Sequence, residues 1–352
     1  MRACVLAAPG GGGIEHLQIS DVPDALAPGP GEVRVAIRAA ALNHLDLFVA
    51  AGLPGGAEHF PHIVGADAAG VVESVGSGVA GVRAGDRVML NPGISDYTCE
   101  FCRAGEHSLC VHYRLLGEHQ PGTAAELVTV PAHNVARIPN ITPELTWPEA
   151  AAFSLVTLTA WRMVVTRAQV KTGETVLVWG IGGGVSLAAL RIAKLFGARV
   201  IVTSSDDAKL AAARKLGADV TLNHRTQNVA QEIRALTNKR GVDVVVDNVG
   251  TATWDDSLRC LRRGGRLVIC GATSGPQVGL DLRRLFWHQW SILGSTMGNA
   301  GEYAEIVRRL ANGALRPIVD RVYPMAAVRD AYAHLAKGEQ FGKVVLELPS
   351  SA

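Results

Sequence analysis

From about residue 155 to 296 the chain alternates short, continuously apolar runs with stretches of helical period. The runs are TVLVW (175–179), RVIVT (199–203), DVTL (219–222), VDVVVD (242–247), RLVIC (266–270) and SILGS (291–295). Their β-branched residues and regular spacing fit one strand and one crossover helix per unit. A strand apolar at every position is buried on both faces. The runs therefore predict an α/β fold with a six-stranded, parallel, doubly wound sheet and helices on either side.

Residues 1–150 lack that alternation. Strand-like runs EVRVAI (32–37), AAGVVESV (68–75), DRVML (86–90) and ELVTV (126–130) are separated by Gly/Pro-rich turns, which predicts a mostly β domain. Beyond the sheet come helical patterns around Ala304–Leu310 and Ala326–Lys337 and a last strand, KVVLEL (343–348). That strand exceeds the six-unit count and is expected to rejoin the first domain. The expected division is thus 1–154, 155–296 and a returning 297–352.

Charge narrows the function. With 34 basic and 32 acidic residues the net charge is +2, which gives no electrostatic case for nucleic acid. The longest apolar stretch, 175–190, is broken by glycines and followed by Arg191 and Lys194, so no membrane span is expected. The N-terminal residues are too weakly apolar for a signal-peptide core, and a cytoplasmic protein is the expectation. Six cysteines in a reducing compartment are then thiols or metal ligands.

Behind the first apolar run lies Gly180-Ile181-Gly182-Gly183-Gly184-Val185-Ser186, followed by an apolar helix from Leu187 to Phe196. Glycines between the first strand and first helix of such a sheet let backbone N–H groups approach a dinucleotide pyrophosphate. The end of the second strand selects the cofactor, because an acidic residue there would repel a 2′-phosphate. Here stand Thr203-Ser204-Ser205 with Lys209 one turn on, and His224 and Arg225 follow the third strand. Hydroxyls and cations suit a phosphate, so the expected cofactor is NADPH. Asp206 and Asp207 are read as the N-cap and first turn of the next helix.

The most specific local signal is Asp96-x-x-Cys99-x-x-Cys102-x7-Cys110. A Cys-x-x-Cys turn aims two thiolates at one metal, and a third cysteine eight residues on supplies another tetrahedral corner. Asp96 holds the fourth place in the same rhythm, with Glu100, Glu106 and His107 as competitors. Four protein ligands leave no open position. One structural zinc per chain, in a lobe of about residues 93–117, is expected.

Together the glycine loop, the spaced cysteines and GDRV (85–88) make the chain similar to the medium-chain dehydrogenase/reductase superfamily of zinc-containing alcohol dehydrogenases and quinone oxidoreductases. The resemblance covers nearly the whole chain. It implies a GroES-like β domain interrupted by a six-stranded Rossmann domain. It also implies that DNVG (247–250), GATSG (271–275) and FGKVV (341–345) line the cofactor or close the last strand. Asn248, Val249, Gly271, Ala272, Thr273 and Lys343 become cofactor residues on that ground, and Thr159 and Asn43 neighbours of the nicotinamide.

Departures from the family pattern carry the functional reading. Alcohol dehydrogenases of the family bind a catalytic zinc through a cysteine, a Gly-His-Glu histidine and a third ligand before the cofactor domain. Asn43 stands in place of the first and Gly65-Ala66-Asp67 in place of Gly-His-Glu, while Phe153–Thr157 offers no ligand. The pattern resembles the quinone oxidoreductase and enoyl reductase branch. Alcohol oxidation relies on a Lewis acid, whereas hydride addition to a conjugated acceptor spreads charge onto an oxygen that hydrogen-bond donors can meet.

The expected activity is hydride transfer from NADPH to an α,β-unsaturated carbonyl or thioester, or to a quinone. Asn43 is a candidate donor to the nicotinamide carboxamide or substrate, His44 a candidate proton donor beside a proton from solvent, and Asp46 the group that orients this turn. Two rivals stay open: an NADP-dependent alcohol dehydrogenase whose metal sits on His44, His59, His62 and Asp67, and a crystallin-like cofactor-binding protein with little catalysis. A small-molecule substrate and a homodimer or homotetramer, extended through the strand SILGS, are expected by resemblance.

Overall fold

The computed structural model describes residues 1–8, 13–57 and 59–349. The chain divides into two units, one of Met1–Leu155 with Asn299–Ala352 and the other of Val156–Gly298.

In the second unit the six apolar runs are six parallel strands. Their spatial order is Val220–Asn223, Arg199–Ser204, Thr175–Val178, Val242–Asp247, Leu261–Ile269, Ser291–Gly294. Every residue of Thr175–Val178 and Val242–Asp247 is buried, as central strands covered on both faces require. The order reverses between these two strands. Their C-terminal ends therefore flank the topological switch point, where open α/β sheets take ligands. The helix Gly184–Leu195 opens directly behind the first of them and buries Leu187, Leu190 and Ile192. It stops before Gly197, whose φ of 73° is left-handed.

In the first unit the strand Glu32–Ala41 pairs antiparallel with Asp67–Val75, Leu127–Pro131 and Lys343–Glu347. The alternation in EVRVAI is realised, with Val33, Val35 and Ile37 buried in one core with Val72, Val88 and Leu346. Asp67–Val75 crosses so close that a Cβ on Gly70 would collide with the Ala36 carbonyl. The last strand pairs within this unit. It sets Val345 opposite Ala41, and the Leu42 N–H donates to the Val344 carbonyl at 2.9 Å. That register delivers Lys343 to Asn43, 300 residues away in sequence. Two strands that the hydrophobic pattern does not single out, Arg2–Leu6 and Leu17–Asp21, pair with each other. Among the described residues no helix is long and apolar enough to cross a membrane.

Candidate functional site

The first site is built at the mouth of the helix His44–Ala50. Asn43, in extended conformation, is its N-cap, and Asp46, the third helical residue, accepts the Asn43 N–H at 2.9 Å. The Asn43 amide donates to the Ala41 carbonyl at 3.2 Å and to Asp67 Oδ2 at 3.1 Å, and its Oδ1 accepts from Lys343 Nζ. Lys343 Nζ also meets Asp67 Oδ2 at 3.2 Å, and the Leu155 N–H covers Asp67 Oδ1 at 2.9 Å. Asn43, Asp67 and Lys343 are all buried.

This geometry bears on three residues expected at the site. An amide nitrogen has two N–H groups, and both of Asn43's are engaged, so the side chain has none left for a carboxamide or substrate. Lys343, expected at the cofactor, commits two of its three N–H groups to Asn43 and Asp67 because the strand register places it there. Burial and the neighbouring Lys343 ammonium lower the pKa of His44, so its imidazole is neutral at neutral pH rather than poised to give up a proton. Asp46 holds the turn through the Asn43 N–H, and the hydroxyl of the fully buried Tyr332 lies beside its carboxyl. Burial pushes the Asp46 carboxyl up to about 7 against the pull of the Asn43 N–H and Lys343.

His62 is drawn off by the Gly117 carbonyl, 3.1 Å from its Nε2. His44, His59, His62 and Asp67 do not assemble as ligands. Among the described residues the one group of three or more potential ligands whose atoms lie within 4.8 Å of one another is Asp96, Cys99, Cys102 and Cys110. Cys99 caps the short helix Glu100–Arg103, which turns Cys102 toward it, and Cys110 follows a further helical turn, His107–Leu109. Glu100, Glu106 and His107 are outside the group. The Asp96 carboxyl is held far below the usual carboxylate range by the Cys99 N–H, His112 and the Thr98 N–H. A permanently ionised carboxylate with three sulfurs is a donor set that fits zinc. His112, whose Nδ1 lies 2.7 Å from Asp96 Oδ2, escaped the sequence reading because it follows the last cysteine by two residues, outside the ligand rhythm. Its place is that of an outer partner that orients a ligand.

The second unit carries the glycine loop. Gly180 and Gly182 have φ of 64° and 131°, and Gly183 begins the helix Gly184–Leu195 with no side chain in the way. A Cβ on Gly180 or Gly183 would meet only Val249 or the Ser186 hydroxyl, at 3.6 and 3.7 Å. The cradle is therefore bare backbone, which fits a pyrophosphate. It is tied to the second strand by Gly180 N–H to Thr203 Oγ1 at 3.2 Å and Ile181 N–H to the Thr203 carbonyl at 2.7 Å. Val185 is the second residue of the helix. Across the switch point, Asp247 Oδ1 accepts the Val249 and Gly250 N–H groups, and Thr273 donates to the Asn248 carbonyl at 3.0 Å. Gly271 and Ala272 lie in the same crossing, Gly271 against the Asn248 backbone. Thr159 is buried and donates to Met297 Sδ at 3.6 Å.

Ser204 pairs in register with Asn223, so Ser204, Ser205, His224 and Arg225 come from adjacent strand ends. Asp206 is the N-cap of Asp207–Lys215, as expected, and Asp207 accepts from Asn223 Nδ2 at 2.8 Å. Both carboxylates are thus engaged locally. His224 and Arg225 are exposed, and Lys209 is half-buried.

Residues 29–140 match the alcohol dehydrogenase GroES-like domain family and residues 184–312 the zinc-binding dehydrogenase family. The chain is 32% identical over 335 residues to a zinc-type alcohol dehydrogenase-like protein of Schizosaccharomyces pombe, covering 93% of each. It is 31% identical over 321 residues to an acryloyl-coenzyme A reductase of Metallosphaera sedula, covering 91% of this chain and 93% of the relative. Among solved structures, one described as an NAD-dependent alcohol dehydrogenase superposes with a TM-score of 0.93 at 45% identity, covering 99% of this chain and all of that one. These matches and the two folded units agree that the chain belongs to the zinc-type alcohol dehydrogenase-like medium-chain dehydrogenase/reductase superfamily and is an oxidoreductase of that family, whose members bind a nicotinamide cofactor.

Proposed function

We propose that the protein is an NADPH-dependent reductase of activated double bonds, α,β-unsaturated carbonyls or thioesters, or of quinones, and that it works without a catalytic metal. The observation that carries this is the Asn43–Asp67–Lys343 group. By resemblance, positions 43 and 65–67 hold two corners of the family's catalytic zinc. Here they hold an amide, an alanine and a carboxylate whose oxygens are already met by Leu155, Asn43 and Lys343. A lysine ammonium seated among them repels a cation.

Bound NADPH supplies the hydride. Gly180, Gly182, Gly183, Gly184 and Val185 present backbone to its pyrophosphate, with Asn248, Val249, Gly271, Ala272 and Thr273 across the switch point. Ser204, Ser205, Lys209, His224 and Arg225 surround the place of a 2′-phosphate and bring no free carboxylate to it. Thr159 keeps its assignment beside the nicotinamide by resemblance. Asp96, Cys99, Cys102 and Cys110 hold one zinc that pins the lobe. A cytoplasmic homodimer or homotetramer fits the exposed Leu282, Phe286 and Trp287 of the helix Leu282–His288, next to the edge strand Ser291–Gly294.

Relatives named acryloyl-coenzyme A reductase and quinone oxidoreductase favour this reading, and those named alcohol dehydrogenase favour the rival. The deciding experiment combines metal analysis with turnover on purified protein. Expected are about one zinc per chain and NADPH oxidation with an enone, an enoyl thioester or a quinone. A second metal per chain, with alcohol oxidation that depends on it, overturns the proposal.

A further inference from the structure

We infer that Ser186 and Thr203 are positioning residues for the cofactor's pyrophosphate: their buried hydroxyls fix the peptide planes of the glycine loop, so that its N–H groups are set for the ligand. This deepens the cofactor reading above and rests on it.

Gly180, Gly182, Gly183 and Gly184 give the loop four residues without a Cβ, the kind that loses most freedom when a chain is ordered. Held by nothing else, such a loop would be ordered only on binding, at a cost in affinity. Here the protein itself ties it down. The Gly180 N–H donates to Thr203 Oγ1 at 3.2 Å and the Ile181 N–H to the Thr203 carbonyl at 2.7 Å. The Ser186 hydroxyl, in the first turn of the helix Gly184–Leu195, lies 2.9 Å from both the Gly180 and the Gly183 carbonyl oxygens. Its one hydrogen is shared between them. A helical serine commonly bonds a carbonyl three or four residues back, and the Gly183 contact is that bond. Gly180 is six residues back and outside the helix, so the second contact shapes the loop and not the helix.

In a trans peptide the C=O and the following N–H point in opposite directions. The Gly180–Ile181 peptide is therefore gripped at both ends, its oxygen by Ser186 and its N–H by Thr203. At Gly183–Gly184 the oxygen is turned toward Ser186 and the Leu187 N–H, 3.0 Å away, and the Gly184 N–H is turned the other way. Leu187 is the first residue whose N–H finds an acceptor at the helix start. Those of Gly184, Val185 and Ser186 have none within the helix and suit an anion. Ser186 is 1% exposed and Thr203 0%, so neither hydroxyl is open to the phosphates and both act through the backbone. Thr203 stands in the hydroxyl run that ends the second strand, yet it serves the glycine loop.

Ser186→Ala and Thr203→Val each remove a hydroxyl at little change in volume. The probes are NADPH, NADH and adenosine 2′-monophosphate. The two dinucleotides share the pyrophosphate, and the mononucleotide has the adenosine and the 2′-phosphate without it. Expected in both variants is a loss of about tenfold in affinity for NADPH and for NADH by fluorescence titration. The ratio of those affinities, and the affinity for adenosine 2′-monophosphate by calorimetry, should stay within about twofold of wild type. If Thr203→Val, in a buried strand, does not fold, Ser186→Ala carries the test. Dinucleotide affinity unchanged in Ser186→Ala overturns the inference. An equal loss for adenosine 2′-monophosphate overturns it too, because the hydroxyls would then hold the domain and not the loop. Both results leave wild-type NADPH binding as it stands. A wild type that binds neither dinucleotide overturns the cofactor reading together with this inference.

Discussion

Asp67 and Lys343 form an ion pair across 276 residues, with Oδ2 and Nζ 3.2 Å apart and side chains 0% and 5% exposed. Asp67 opens one strand and Lys343 opens another, and the two flank opposite edges of Glu32–Ala41. The pair therefore forms only when the C-terminal segment has threaded back to the first domain. Its sequence separation makes it a marker of complete folding as well as the frame of the site.

Removing one partner of such a pair leaves a buried charge. Asp67→Ala is expected to destabilise the protein by about 3–5 kcal/mol, because Lys343 keeps its desolvation cost and loses its counter-ion. Urea unfolding at neutral pH measures this. A loss under about 1 kcal/mol would show that water already screens Lys343.

Zinc in the lobe is expected to be held by four groups of unequal strength. Cys102→Ser removes a buried thiolate and is expected to abolish metal retention through dialysis. Asp96→Ala should weaken retention without abolishing it, since three sulfurs remain. In both variants NADPH affinity should hold, because the glycine loop lies in a different folded unit. Metal content by mass spectrometry beside a fluorescence titration checks the pair. Full zinc in Cys102→Ser would remove the lobe assignment.

Local pattern carried much of this into view and stopped at a definite point. The six parallel strands are readable because each is a short run of β-branched and apolar residues recurring at the spacing of one strand and one helix, and the cysteines because metal geometry demands short spacing. Asn43, His44 and Asp46 are readable as one turn because they are neighbours in sequence. Lys343 is not readable as their partner, since no periodicity encodes the register of Lys343–Glu347 against Glu32–Ala41. The saturation of the Asn43 amide is hidden for the same reason, because Asp67 and Ala41 reach it only through folded strands. Tyr332, an isolated aromatic in an amphipathic helix, reads as core, and only the structure sets it beside Asp46.

Cofactor choice should move with one side chain. Ser205 is half-buried just past the strand Arg199–Ser204, where an acid would repel a 2′-phosphate and accept from a ribose hydroxyl. Ser205→Asp is expected to shift the ratio of NADPH to NADH affinity toward NADH by at least tenfold, about 1.4 kcal/mol. Fluorescence titration with each cofactor gives the ratio directly. A ratio that stays fixed, or a wild type that already prefers NADH, would mean that Lys209, His224 and Arg225 do not hold a phosphate.

Asp46 gives the protein a pH dependence with a definite sign. Its carboxyl stands at about 7 in the folded chain, raised by burial first, with Asp67 adding repulsion while the Asn43 N–H, Lys343 and Tyr332 pull it down. In the unfolded chain an aspartate titrates near 3.9. Between about pH 4 and pH 7 the folded state therefore binds a proton that the unfolded state has lost, and stability falls as pH rises through that window. The contribution is whole below pH 4 and gone above about 7, on the order of 2–4 kcal/mol. Asp46→Asn removes the titration, and its amide oxygen can still accept the Asn43 N–H. Wild type should thus be favoured over Asp46→Asn most at pH 5 and least at pH 8, as measured by urea unfolding at both. Cys4, pushed up to about 12, and Tyr332, raised well above the ordinary phenol range by burial, are the other titratable groups packed there and so cannot mimic this window. Lys343 stays paired with Asp67, and His44, whose pKa burial lowers, is present in wild type and Asp46→Asn alike, so the comparison between them isolates Asp46. A stability difference that is the same at both pH values would mean that Asp46 is ionised throughout, with water reaching its Oδ1.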